Sequence, residues 1–173
     1  AVFTYIAPIL TRLAGFSDAA VSPILLVFGG GLVIGNLVGG RLADRWLLPT
    51  VLGSLLALTV VLALMSLATH NQIAIVVFVA LLGAVGFATV PPLQMWVLEK
   101  AHGAGQSLAS SFNIAAFNLG NAIGAWLGGA VIDHGGLAAV PWVAALVPLA
   151  ALGVALTAIR FDRVRASVPA AAE

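Results

Sequence analysis

Residues 19–40, 46–69, 71–98, 103–132 and 135–159 contain no Asp, Glu, Lys, Arg or His. Each stretch is long enough to cross a hydrocarbon core of about 30 Å as an α-helix. Hydrophobic residues make up 62% of the chain and charged ones 8%, against about 45–50% and about 25% in soluble domains. So few charges cannot clothe a water-facing surface, so lipid must be the solvent for most of the chain. An earlier uncharged run, 1–11, is too short to span alone. It is expected to be the end of a helix that begins upstream, since Ala1 is not an initiating Met. No basic segment precedes it, which argues against a secretory signal.

The expected fold is all-α and integral to a membrane, with a six-helix bundle over 1–160 and a tail over 161–173. Helices are placed at about 1–15, 19–41, 47–69, 72–98, 106–131 and 138–159. Arg41, Arg45, Lys100, Arg160, Arg163 and Arg165 fall on one side of this arrangement, and Arg12 on the other. Basic residues gather on the cytoplasmic side, so the link after the second helix and the C-terminus are expected there. No basic patch lies beside exposed aromatics, which removes nucleic acid as a partner. Without cysteine there is no disulfide and no thiolate metal site.

The second and fifth helices share a pattern. GLVIGNLVGG at 31–40 and GNAIGAWLGG at 120–129 repeat one Gly-x3-Gly-x3-Gly-Gly ladder. Gly31, Gly35, Gly39 and Gly40 answer to Gly120, Gly124, Gly128 and Gly129. This spacing puts small residues on one helix face, where another backbone can approach closely. The two helices run in opposite directions and lie three helices apart, as in a three-plus-three inverted repeat. Close packing and a sliding interface both suit such faces.

Gly40-Arg41-Leu42-Ala43-Asp44-Arg45, placed in the link between the second and third helices, resembles the Gly-x-Leu-Ala-Asp-Arg loop signature of the major facilitator superfamily. The 120–129 ladder is similar to that family's G-x-x-x-G-P-x-x-G-G antiporter motif, with Ala125 where the proline would be. Ser111–Gly129, with Phe117-Asn118-Leu119-Gly120, resembles the arabinose-efflux-permease-like and drug:proton antiporter branch. The resemblance covers essentially the whole chain and matches the C-terminal six helices of a twelve-helix transporter. It implies export of a small organic solute such as a sugar or drug by alternating access, and an N-terminal six-helix half as partner. It also implies a bacterial inner-membrane location and protons as counter-ion. The other reading is a non-transporting six-helix module that pairs with a partner chain or acts as an assembly subunit.

Within the motif, the resemblance gives Asp44 and Arg45, with Gly40, Leu42 and Ala43, the role of a cytoplasmic latch to the other half. An interaction made in one access state only biases alternation. A plainer role for Asp44 is to cap the third helix. Trp46, Leu47 and Leu48 replace the family's further glycine and basic residues.

Polar side chains at bilayer depth are the cavity candidates: Tyr5, Asn36, Gln94, Asn113, Asn118 and Asn121, with Thr4 and Thr89 beside them. An amide in lipid is unfavourable unless it is hydrogen-bonded or faces water, so each either joins helices or lines the cavity. No titratable residue lies near the centre of a helix between 19 and 159, so any proton-relay carboxylate is expected in the other half. An enzyme is not expected. His70, His102 and His134 fall in links without a second ligand at short spacing, and no base is available for a serine at membrane depth. The run Gly29-Gly30-Gly31 lacks the lysine of a phosphate loop, and no metal or cofactor is expected.

Overall fold

A computed structural model describes residues 1–101 and 105–167, the side chains of 165–167 excepted. The described residues form helices α1 (Val2–Leu13), α2 (Asp18–Arg45), α3 (Leu47–Ala68), α4 (Gln72–Ala88), α5 (Val90–Lys100), α6 (Gln106–Gly135) and α7 (Val140–Ser167). A short 3-10 turn, Leu137–Ala139, leads into α7. Among the described residues five spans are long and apolar enough to cross a membrane, with α4 and α5 counted together; α1 is shorter.

α1 is irregular. Pro8 removes an N–H from the ladder, and a wider π turn follows, in which Ala14 N–H reaches Ile9 O at 3.2 Å. Gly15, at φ +73°, ends the segment in the left-handed region that glycine tolerates. Gln72 Nε2 donates to Ala14 O at 3.1 Å and to Gly15 O at 3.3 Å, tying this turn to the start of α4. Asn71 caps α4, its Oδ1 accepting from Ala74 N–H at 2.9 Å.

Three features depart from the expected outline. α2 does not stop at residue 41: Arg41, Leu42, Ala43 and Arg45 are good helix formers and continue it, so the motif lies on its last turns and not in a loop. The link to α3 is Trp46 alone, and Pro49 falls in the first turn of α3, where its missing N–H is harmless. The fourth helix, expected as one piece over 72–98, is broken at Thr89. Pro91 and Pro92 have no N–H to offer the carbonyls of Phe87 and Ala88; the Thr89 hydroxyl instead donates to Gly86 O at 2.6 Å. Finally, α7 continues through Ser167 into the expected tail.

In α3 the hydroxyls of Ser54, Thr59 and Ser66 donate to carbonyls of their own helix and that of Thr50 to Trp46 O just before it, as a lipid solvent requires. α2 packs along α4, α3 along α7, and the start of α1 against α6. Exchanging each helix with the one three places on maps the second–fourth pair onto the fifth–first pair and the third–sixth pair onto itself. That is the symmetry of a three-plus-three inverted repeat. The main core gathers Ile9, Leu10, Phe28, Met65, Ile75, Val79 and Val140. Phe28 stacks on Phe3 with centroids 4.9 Å apart and meets Phe87 edge-on at 6.3 Å. A separate cluster of Val51, Leu55 and Ala155 lies nearer the other end of α3.

Candidate functional site

The ladder of α2 is closed by backbone. A Cβ built on Gly31 would stand 2.2 Å from Ala80 O, one on Gly35 1.8 Å from Ala84 O, and one on Gly39 2.4 Å from Ala88 O. Gly83 answers from α4, its Cβ falling 2.3 Å from Phe28 O. Two helices thus meet main chain to main chain over several turns, a contact any side chain would wedge apart. Gly40, beyond this seam, has room.

The ladder of α6 is filled differently. The Tyr5 ring lies against Gly128, where a Cβ would come within 2.5 Å of Tyr5 Cε2, and its hydroxyl sits 3.1 Å from the Cβ position of Gly129. That hydroxyl donates to Ala125 O at 2.9 Å. A Cβ on Gly124 would stand 3.0 Å from Ala1 N, and one on Gly120 would meet nothing within 4 Å. One glycine face therefore receives a backbone and its counterpart an aromatic ring.

Gln94 and Asn113 come together. Gln94 Nε2 donates to Ser110 Oγ at 3.0 Å, and Asn113 Nδ2 donates to Gln94 Oε1, so α5 and α6 are joined by a three-residue amide–hydroxyl cluster. Ser110, not singled out from sequence, is the missing partner. Its signal was the spacing of Ser110 and Asn113, one turn apart on α6. Replacing Gln94 by leucine should strand Asn113 and lower stability by about 0.6–2 kcal/mol; a melting temperature in detergent equal to that of the parent would show that the cluster holds nothing together.

Asn36, Asn118 and Asn121 are exposed and make no hydrogen bond among the described residues. They interrupt otherwise apolar exposed faces: Val33, Ile34 and Leu37 on α2, and Ile114, Phe117 and Ile123 on α6. Thr4 is exposed as well, and Thr89 is buried.

At the end of α2, Ala43 is buried while Arg41, Leu42, Asp44 and Arg45 line a shallow cleft and are exposed. No hydrogen bond or ion pair joins Asp44 to another described residue. The expected capping role is not what the structure shows: the residue before α3 is Trp46, and no side chain caps that helix. At the same basic end Lys100 pairs with Asp162, linking α5 to α7. Among the described residues no group of three His, Asp or Glu is placed to hold a metal. His70 is exposed, His134 Nδ1 lies 2.8 Å from Ala130 O, and His102 is outside the described residues.

The sequence pattern of the Major Facilitator Superfamily matches residues 1–173. The chain belongs to that superfamily. It is similar to the inner membrane transport protein YdhP of Escherichia coli O157:H7, 44% identical over 84% of this chain and 38% of that protein. The MFS-type transporter YtbD of Bacillus subtilis is 34% identical over 87% of the chain and 39% of its own length. A chloramphenicol resistance protein of Streptomyces lividans is 33% identical over 90% and 40%. The chain thus spans about two fifths of the length of these curated relatives.

Proposed function

We propose that the chain is the C-terminal half of a secondary transporter that exports a small organic solute by alternating access. The observation that carries this reading is the pair of exposed faces on α2 and α6, apolar but interrupted by Asn36, Asn118 and Asn121. Unpaired amides facing lipid are unfavourable, and a second six-helix half laid over these faces would enclose them in a water-accessible cavity near the midplane. Asn118 is the foremost candidate for lining it, with Tyr5 as an aromatic wall. The name of the Streptomyces relative favours an antibiotic-like solute and outward transport. With no Asp, Glu, Lys, Arg or His near the centre of a helix between 19 and 159, a proton relay is assigned to the other half.

Cells lacking their own exporters and producing the intact protein should accumulate less labelled chloramphenicol, or another small amphiphilic solute, than cells with an empty vector. No difference across a panel of such solutes, with the protein present in the membrane, would refute export. The bundle is further proposed to lie with Arg41, Arg45, Lys100, Arg160 and Arg163 in the cytoplasm. Reporters placed after Glu173 and beside Arg45 should give cytoplasmic signals, and one beside Asn71 the opposite. Reversed signals would overturn the orientation.

A further inference from the structure

The Lys100–Asp162 pair closes one end of a cleft between α5 and α7. Near the pair it holds about 570 Å³, between Trp96 and Lys100 on one side and Ala158, Phe161 and Asp162 on the other. Farther in, about 450 Å³ more opens between Leu93 and the Ala151–Ala155 surface of α7. Trp96 and Ala158 line both portions, so the two are one groove running from the basic end into the bundle. Its origin lies in the sequence. Pro91 and Pro92 break the fourth helix, so α5 need not follow the line of α4 along the bundle. Ala151, Ala155 and Ala158, on one face of α7, supply no side chain long enough to fill the space. The groove is open to its surroundings, and its apolar walls have no protein atoms to contact there.

The chemistry of the groove changes along its length. Its inner walls are aliphatic beyond Trp96, with Val51 packed beneath Leu55 and Ala155. Its mouth carries Lys100, half exposed, whose ammonium has three N–H donors and gives one to Asp162. Lys100 and Asp162 are the charged residues that line this mouth, and Arg160 and Arg163, on other faces of α7 at the same end, stand against Glu99 and leave an excess of one positive charge at this end. Trp96 sits at the junction, the depth at which indole rings favour a membrane–water boundary.

We propose that this groove is a binding site for one anionic phospholipid, with an acyl chain between α5 and α7 and the headgroup phosphate on Lys100. The apolar length fits a chain entering from the adjoining leaflet, and the excess positive charge fits a phosphate with no compensating ammonium. The site stands independently of the transport reading, because it needs only the membrane and these helices.

The intact protein would be reconstituted in phosphatidylcholine vesicles carrying a trace of diazirine-tailed phosphatidylglycerol or diazirine-tailed phosphatidylcholine, irradiated, and its labelled peptides mapped. Phosphatidylglycerol should label the Leu93–Trp96 and 151–158 peptides about five-fold more than phosphatidylcholine at equal fraction, the preference expected of one basic residue near the surface. Ala158→Phe should abolish that labelling without changing the labelling of the lipid-facing Leu56 and Leu64 surface of α3. Where Ala158→Phe does not accumulate, Ala151→Phe, at an exposed position, blocks the inner portion instead. Lys100→Gln should leave phosphatidylcholine labelling unchanged and bring phosphatidylglycerol down to it. Equal labelling by the two lipids in the parent protein would remove the anionic site. Labelling that survives the groove-filling variants would place the chain elsewhere.

Discussion

Gly35→Ala should destabilise this bundle by about 3 kcal/mol or prevent its assembly, the upper end of what overpacking a close-packed contact produces. The added methyl would stand 1.8 Å from Ala84 O, 2.5 Å from Ala84 C and 2.7 Å from Ala84 Cα, where ordinary contact begins at 3.4 Å. All three atoms are main chain, so no rotamer change can make room. α2 would have to move off α4, and the neighbouring seams at Gly31–Ala80 and Gly39–Ala88 would open with it. Gly30, in the same helix, has nothing within 4 Å of its Cβ position, so Gly30→Ala should change stability by less than about 1 kcal/mol and in the favourable direction. Gly128→Ala falls between them, because it meets the Tyr5 ring, which can rotate. Melting of the three variants in the same detergent separates them. If Gly35→Ala and Gly30→Ala melt together, α2 and α4 do not meet at Gly35.

That ordering shows what the sequence carried and what it did not. The spacing of Gly31, Gly35 and Gly39 makes one face of small residues and announces a close neighbour, but periodicity within a helix cannot name the neighbour. The signal was present in α4, where Ala80, Ala84 and Ala88 repeat the interval of four and Gly83 sits among them. Only the pairing of the two stripes turns either into a contact. The second ladder was equally visible, yet its partner is a single tyrosine ring from the start of the chain, and no spacing rule anticipates that. The helices themselves were legible because charges and histidines fence them. The break at Thr89 was announced by Pro91-Pro92, although an uncharged run through 98 masks it when charge alone sets the boundaries.

The polar residues divide along physical lines. Gln94 and Asn113 find each other because α5 and α6 follow one another in the chain and their facing sides are close. Asn36, Asn118 and Asn121 find nothing among the described residues, since the faces that bear them are turned away from this bundle. A sequence pattern marks both sets as amides in an apolar helix and cannot say which face meets a neighbour.

Asp44→Asn is expected to leave the fold intact while altering the balance of access states. The carboxylate lies in the last turn of α2, where negative charge opposes the helix dipole by about 0.3–1 kcal/mol, and no described residue pairs with it. α3 starts after Trp46 without a side-chain cap. Removing the charge should therefore be neutral or slightly stabilising to the bundle, the opposite of what losing a helix cap would do. A charge that opposes the helix dipole and is exposed at the end of α2 is suited to a partner beyond this chain. If that partner is a basic group or helix N-terminus of the other half, the contact is charge-assisted and worth about 1.5–3 kcal/mol. Losing it from one access state would shift the populations by roughly ten- to a hundred-fold toward the state open to the cytoplasm. This chain has no cysteine, so a cysteine placed at Asn118 reports the shift without interference from its own sequence. In the full transporter, that cysteine should react faster from the cytoplasmic side in Asp44→Asn than with Asp44 in place, at equal expression, and export should fall. Unchanged labelling together with unchanged export would leave Asp44 with no part in switching.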